Sequence, residues 1–384
     1  MERFLQYLLV VVSITSCVTI DDLKPESLDK LEEELQDNNI DTDDKLLATD
    51  AIDMNSSGET ANCYIVSSAG AYKFRPVKGN SSTSVGPVSS LEVLWESFGT
   101  SQKPSAGDLI RSINYDAGFV VFSTPSSFKE GNAVIAAKDA SGTILWSWHI
   151  WLTDQPEEQE YYNNAGTMMD RNLGAISATP GDVGALGLLY QWGRKDPFLG
   201  SSSISSSTLA KSTITWPSAV NSNTSNGTIE YATANPTTFI TCNTSNWDWY
   251  YTGSSSTDNT RWQSEKTIYD PCPVGWRVPD GGEAGVWSRA SGETWYFYHT
   301  YDSVDRGMNF SGNFADGSII WYPAAGRLYD SDGPLYDFGN SGGCWSVTPS
   351  GDNAYYLYFD RNGRVYPSSS YIRADGRSVR CLQE

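Results

Sequence analysis

Thr143-Ile144-Leu145-Trp146-Ser147-Trp148-His149-Ile150-Trp151 is the stretch that decides the fold class. Successive side chains of a strand point to opposite faces. Ile144, Trp146, Trp148 and Ile150 therefore share one face, and Leu145, His149 and Trp151 share the other. Gly142 turns the chain into this run. Upstream, Cys63–Val66, Tyr72–Phe74 (stopped by Pro76), Leu91–Trp95, Phe119–Phe122 and Ala133–Ala137 read as further short strands. Short strands separated by turns predict a β-sandwich, placed at residues 60–156. His149 reads as a strand residue wedged between tryptophans. A catalytic histidine needs a partner within hydrogen-bond reach, and the sequence shows none.

Downstream the composition stays β-like, with Gly, Asn and Asp punctuating at short intervals. The body of the chain, about 325 residues, is too long for one ordinary core and predicts two domains. The second opens with Thr167-Met168-Met169-Asp170-Arg171-Asn172-Leu173-Gly174. Leu186, Leu189, Tyr190 and Gly193 fall at helical spacing, which predicts a helix ended by Pro197. Residues 200–260, rich in Ser, Thr and Asn, read as long surface loops with a few short strands. Three blocks follow: Cys272-Pro273-Val274-Gly275-Trp276-Arg277-Val278-Pro279, Cys344-Trp345-Ser346-Val347 and Ser378-Val379-Arg380-Cys381.

Together these blocks resemble the Fibrobacter-type major paralogous domain over residues 160–384. The resemblance implies a C-type-lectin-like fold, with a small twisted antiparallel sheet, two helices and long binding loops. The overall expectation is a mainly β chain with short helices, a β-sandwich followed by the lectin-like domain. Such folds join the early helix region to the last strand by a disulfide, which implies Cys272 with Cys381, and next Cys242 with Cys344. The Leu145–Trp151 run resembles the β domain that precedes this module in Bacteroidetes surface proteins, which are often pilin-like or adhesin-like.

The sugar-binding and enzymatic variants of the fold lack their motifs here. Calcium-dependent lectins carry a Glu-Pro-Asn or Gln-Pro-Asp loop and a Trp-Asn-Asp strand, and the second domain has neither. Asp330-Ser331-Asp332-Gly333 and Asp360-Arg361-Asn362-Gly363 lack the closing acid of a calcium loop and read as turns. No metal and no cofactor is expected. Formylglycine-generating enzymes, which share the fold, need reactive cysteines in a cleft, whereas Cys344 and Cys381 sit in strand-like runs. Gly339-Asn340-Ser341-Gly342-Gly343 matches the nucleophile-elbow spacing, but no histidine follows His299 in the chain. The chain is therefore read as a non-enzyme.

Residues 352–373 are crowded with Tyr, Ser, Asp, Asn and Arg, and Tyr and Ser build adaptable recognition surfaces. In some lectin-like proteins this segment is varied by diversity-generating retroelements. Trp345, Tyr356, Tyr358, Tyr366, Tyr371 and Arg373 are the expected ligand surface.

At the other end, Arg3, the apolar run Phe4–Val12 and Ile14-Thr15-Ser16-Cys17 have the order of a secretory signal peptide, residues 1–17. The run is too short to cross a bilayer, which takes about 20 residues. Ile14–Cys17 resembles the lipobox of bacterial lipoproteins and implies acylation of Cys17. Residues 18–59 are strongly acidic and free of aromatics, which predicts a flexible tether. Asp21 and Asp22 resemble the export signal of Bacteroidetes surface lipoproteins. The net charge of -20 disfavours nucleic acid as a partner. The expected protein is a lipid-anchored outer-membrane adhesin facing a host, bacterial or glycan ligand, with pilin subunits as further partners. The alternatives are a structural or fimbrial subunit without soluble ligand, and a lectin-fold enzyme.

Overall fold

The computed structural model describes residues 46–255, 257–314 and 317–384. Cys17, the signal-peptide reading and most of the acidic stretch fall outside them. The first eight strands are β1 (Ile52–Asp53), β2 (Cys63–Val66), β3 (Ala71–Phe74), β4 (Ser90–Ser97), β5 (Ser112–Asp116), β6 (Phe119–Ser123), β7 (Gly131–Lys138) and β8 (Ile144–Leu152). They make two four-stranded sheets, ordered β1-β3-β6-β5 and β2-β8-β7-β4. Phe74, Val120 and Phe122 of the first meet Tyr64, Ile135, Trp146, Trp148 and Ile150 of the second in one core. Pairing is mixed: β2 runs parallel to β8, with Cys63 opposite His149, and β7 runs antiparallel to it.

β8 is covered on both faces. Trp146, Trp148 and Ile150 enter the core between the sheets, while Trp151 joins Cys63, Trp95 and Val134 in a second core shared with C-terminal residues. A strand buried on both sides is apolar on both, which explains tryptophans at odd and even positions of the opening run. Polar ties cross the same boundary. The Asn62 amide donates to the carbonyls of Ile268 and Asp270 and accepts from Trp146 Nε1. Trp151 Nε1 donates to Ala175 O, and Lys195 Nζ reaches Ser147 Oγ at 2.5 Å. Leu46–Glu384 accordingly forms one compact unit.

The remaining strands are β9 (Glu158–Tyr161), β10 (Gly166–Met169), β11 (Tyr190–Gln191), β12 (Trp276–Arg277), β13 (Phe297–Tyr298), β14 (Tyr301–Asp302), β15 (Gly307–Asn309), β16 (Trp321–Pro323), β17 (Arg327–Leu328), β18 (Leu335–Tyr336), β19 (Ser341–Ser350), β20 (Asn353–Asp360), β21 (Arg364–Ile372), β22 (Gly376–Arg377) and β23 (Leu382–Gln383). The principal sheet is β13-β21-β20-β19. Smaller sheets are β12-β23-β10-β9, β11-β22-β17-β18 and β14-β15-β16. Three short α-helices, α1 (Ile229–Ala234), α2 (Val286–Ser291) and α3 (Ser311–Phe314), and 3-10 turns at Ala48–Asp50, Tyr162–Asn164 and Val183–Ala185 complete the elements of the described residues. With 34% strand against 7% helical, the fold is mainly β with short helices, the class the alternation predicts.

Three expectations need correction. The stretch 186–197 is not a helix. Gly187 and Gly193 take φ of +72° and +78°, left-handed values that break a helix. Leu189 exchanges backbone hydrogen bonds with Phe198, and Tyr190–Gln191 pairs with Gly376–Arg377. The acidic tether does not reach Glu59. Ala48 and Ala51 pack on Val121, with Leu46 beside them, and Ile52 pairs with Tyr72. A few apolar residues inside an acidic stretch suffice to dock it. The pair Cys242–Cys344 does not form: both are free thiols, as is Cys63, while Cys272 and Cys381 are disulfide-bonded with Cα atoms 6.0 Å apart.

Candidate functional site

The β19–β20 hairpin turns at Gly351, in the left-handed region at φ +61°, and β20 enters β21 through a tight turn closed by Asp360 Oδ1, which accepts from Asn362 N. Along β20 the side chains alternate. Leu357 and Phe359 enter the core lined by Trp287, Phe310 and Val365. Tyr356 and Tyr358 face the other way, with Tyr356 opposite Trp345 and Tyr358 opposite Tyr366. Gly343 stands opposite Tyr358. A Cβ there would meet Tyr356 Cδ2 at 2.9 Å, so glycine makes room for the tyrosine ring.

The rings form one row. Centroid separations are 5.5 Å from Trp345 to Tyr356, 6.1 Å to Tyr358, 5.9 Å to Tyr366, 5.7 Å to Tyr296 and 5.9 Å to Tyr298. Exposure rises along it: Trp345 is 0% exposed, Tyr356 4%, Tyr358 and Tyr366 half-buried, Tyr296 44% and Tyr298 67%. Trp295, 77% exposed, adjoins the outer end in sequence. Aromatic pairs at such spacings add about 0.5–1.5 kcal/mol each beyond burial.

Arginines and carboxylates back the row. Arg377 lies 4.2 Å over the Tyr356 ring and 5.1 Å over Tyr371. Arg327 lies 5.0 Å over Tyr371 and 5.4 Å over Tyr329. The buried Asp375 holds both guanidiniums, at 2.6 Å from Arg377 and 3.0 Å from Arg327. Asp337 stands 3.5 Å from Arg327 Nε, and Asp360 pairs with Arg364. Burial, with Asp360 adding, pushes the Tyr358 hydroxyl up to about 12, so it remains a hydrogen-bond donor at neutral pH.

Tyr356, Tyr358 and Tyr366 are thus brought together, and Tyr371 sits beside them through Arg377. Trp345, Tyr356 and Arg373 are too buried to be ligand surface. Trp345 Nε1 donates to Tyr190 O. Arg373 donates to Asn353 O, Gly351 O and Asn259 Oδ1, and covers the Trp192 ring at 4.3 Å. The composition of residues 352–373 placed it on the surface, yet Trp247, Asp258 and Asn259 fold over it. Tyr296, Tyr298 and Asp337 were missed; the run Trp295-Tyr296-Phe297-Tyr298 was a visible signal for the first two.

No family model matches the chain, and no curated protein or solved structure matches it.

Other motifs resolve into structure. Asp330–Gly333 turns β17 into β18, where Gly333 N donates to Tyr329 O, and Asp360–Gly363 turns β20 into β21. No group of three or more His, Cys, Asp or Glu is placed to hold a metal ion among the described residues. Ser341 is a buried residue of β19. His149 Nε2 contacts Asn132 Oδ1 at 2.9 Å, and burial lowers its pKa to about 3, so the ring is neutral. Burial raises the thiols of Cys63, Cys242 and Cys344, the last two to about 12, which withholds the thiolate that nucleophilic chemistry needs. No helix among the described residues is long and apolar enough to cross a membrane. Open clefts of about 700 Å³ beside Trp216 and Leu335, and of about 540 Å³ beside Arg75 and Lys266, include no ring of the tyrosine row in their linings.

Proposed function

We propose that the protein is a lipid-anchored surface adhesin, acylated at Cys17 and held at the outer membrane, that takes its ligand on the tyrosine face of β13-β21-β20. The observation that carries this reading is the burial gradient along the ring row. Its inner rings are core and its outer rings are exposed, so the contact residues stand on a rigid base. A surface ordered before binding loses less entropy on association, and exposed tyrosines on such a base are the residues that dominate binding surfaces. Ser369 on β21, paired with Tyr356 and so on the same face, supplies a small polar complement.

The resemblance to the Fibrobacter-type major paralogous domain, and through it to C-type-lectin-like pilus-tip and retroelement-diversified proteins, supports the same reading. A buried disulfide fits work outside the cytoplasm. The partners in this reading are a host, bacterial or glycan surface, with pilin subunits as neighbours. The test is adhesion of cells displaying the full chain, with Tyr298→Ala and Tyr366→Ala as variants. Adhesion falling by about tenfold, the equivalent of ~1.4 kcal/mol, is the expected result. Adhesion unchanged in both variants at equal surface display would move the protein to the fimbrial-subunit class.

A further inference from the structure

The tyrosine face has two properties that constrain what it takes. The first is charge. The guanidiniums beside the rings are each matched: Arg327 and Arg377 by Asp375, Arg327 also by Asp337, and Arg364 by Asp360. No arginine of this group is left to select an anion. The carboxylates are equally engaged, so a cation finds no free partner among them. A face whose charges cancel internally does not reward a charged ligand with a new ion pair, and desolvating those pairs would cost binding energy. The chain's net charge of -20 adds a general repulsion of polyanions.

The second property is shape. Tyr358, Tyr366 and Tyr296 stand at 5.9 and 5.7 Å, centroid to centroid, with interplanar angles of 49° and 32°. A ring gripped between two aromatic walls needs van der Waals contact on each side, about 3.5–4 Å apiece, so its walls stand roughly 7–8 Å apart. The tyrosines are closer than that and touch one another. They offer no slot for a proline ring, the feature that aromatic grooves use on extended proline-rich peptides. A ligand must lie across the rings instead. It needs a flat apolar face to meet them and a polar rim to meet the Tyr358 hydroxyl and Ser369 of β21.

A neutral pyranose has both properties: a face of C–H bonds and an equatorial ring of hydroxyls. We propose that the tyrosine face binds an uncharged saccharide, without a metal ion, by laying sugar C–H faces across Tyr358, Tyr366 and Tyr296. The exposed Tyr298 extends the same row and takes a neighbouring sugar unit. This rests on the reading of the face as the binding surface.

The experiment is calorimetric titration of the full chain with a panel of neutral oligosaccharides (hexamers of β-linked glucose, α-linked mannose and β-linked galactose). A polyuronate hexamer and a proline-rich decapeptide serve as competitors, and every titration is run in EDTA. The expected result is binding of at least one neutral hexamer in EDTA. Its affinity changes less than twofold between about 50 and 500 mM salt, a range that screens exposed charges. Tyr366→Ala weakens it tenfold or more. Tyr298→Ala, at an exposed position outside the core, weakens it three- to tenfold with an unchanged melting curve, which guards against a folding artefact. Tighter binding of the polyuronate, loss of binding in EDTA or preference for the peptide would overturn the proposal. So would silence of the whole neutral panel while cell adhesion still depends on Tyr366, and that outcome leaves the face itself standing. If adhesion ignores Tyr366 and Tyr298 as well, the reading of the face fails with it.

Discussion

Breaking the Cys272–Cys381 disulfide should cost this protein a large part of its stability. The bond joins the residue four before β12 to the residue just before β23, and those two strands pair in one sheet, Trp276 opposite Gln383. The cysteines are 109 residues apart in sequence. Cross-linking a loop of that length removes about 16 cal/mol/K from the unfolded chain, or ~4.8 kcal/mol at 25 °C. Both sulfurs are fully buried, so replacing them by smaller side chains adds roughly 1 kcal/mol of lost packing. A double variant, Cys272→Ala with Cys381→Ala, should therefore lose about 5–6 kcal/mol, against the 5–15 kcal/mol that native domains possess. The assay is urea unfolding of the full chain, followed by tryptophan fluorescence and far-ultraviolet circular dichroism together. Coincident transitions establish that one free energy describes the event. A loss below about 2 kcal/mol would refute the reasoning, because the unfolded chain would then already hold these ends together.

Three further outcomes follow from the buried groups. Arg373→Ala should destabilise by about 3–5 kcal/mol, since it removes one of the two cations facing the buried Asp248; thermal melting checks this, and a melting curve like that of the unmodified chain would return Arg373 to the surface. His149 titrates near 3 when folded and near 6.5 when unfolded, so the unfolded chain binds the extra proton between those values and stability rises with pH across the window. Asp270, raised to about 6 by burial, contributes with the opposite sign between about 4 and 6. The difference in unfolding free energy between the unmodified chain and His149→Gln should therefore grow by up to ~1.4 kcal/mol per pH unit from about 4 to 6, and a flat difference would mean that His149 is solvated. Gly343→Ala should cost about 1–3 kcal/mol by pressing on Tyr356, and should also weaken ligand binding through the displaced row; full binding at reduced stability would uncouple Gly343 from the face.

Much of the fold was legible because strand alternation is a local property. Each strand expected between Cys63 and Trp151 lies in or overlaps an observed one, with bounds shifted by a residue or two. The local pattern misled where non-local pairing won. Leu186–Gly193 had helical spacing, but two left-handed glycines and the partner strand Gly376–Arg377 made it extended. The stretch before Glu59 looked like pure tether because its charge hid the few apolar residues that pack on Val121.

The candidate site divides along the same line. Composition alone marked residues 352–373 as tyrosine-rich, and Tyr358 and Tyr366 do lie side by side on one face. Composition could not tell surface from core, because burial depends on what folds over a residue from far along the chain. Arg373 is covered by a loop more than a hundred positions away, with Asp258 and Asn259 at 3.3 and 2.6 Å. Tyr296 joins the row only because β13 pairs with β21. The sequence by itself determined the strand-rich class, the charge and the tyrosine content. The tertiary structure decided which rings touch, which charges cancel and which tyrosines face water, since each of these is set by distances between residues that the chain keeps far apart.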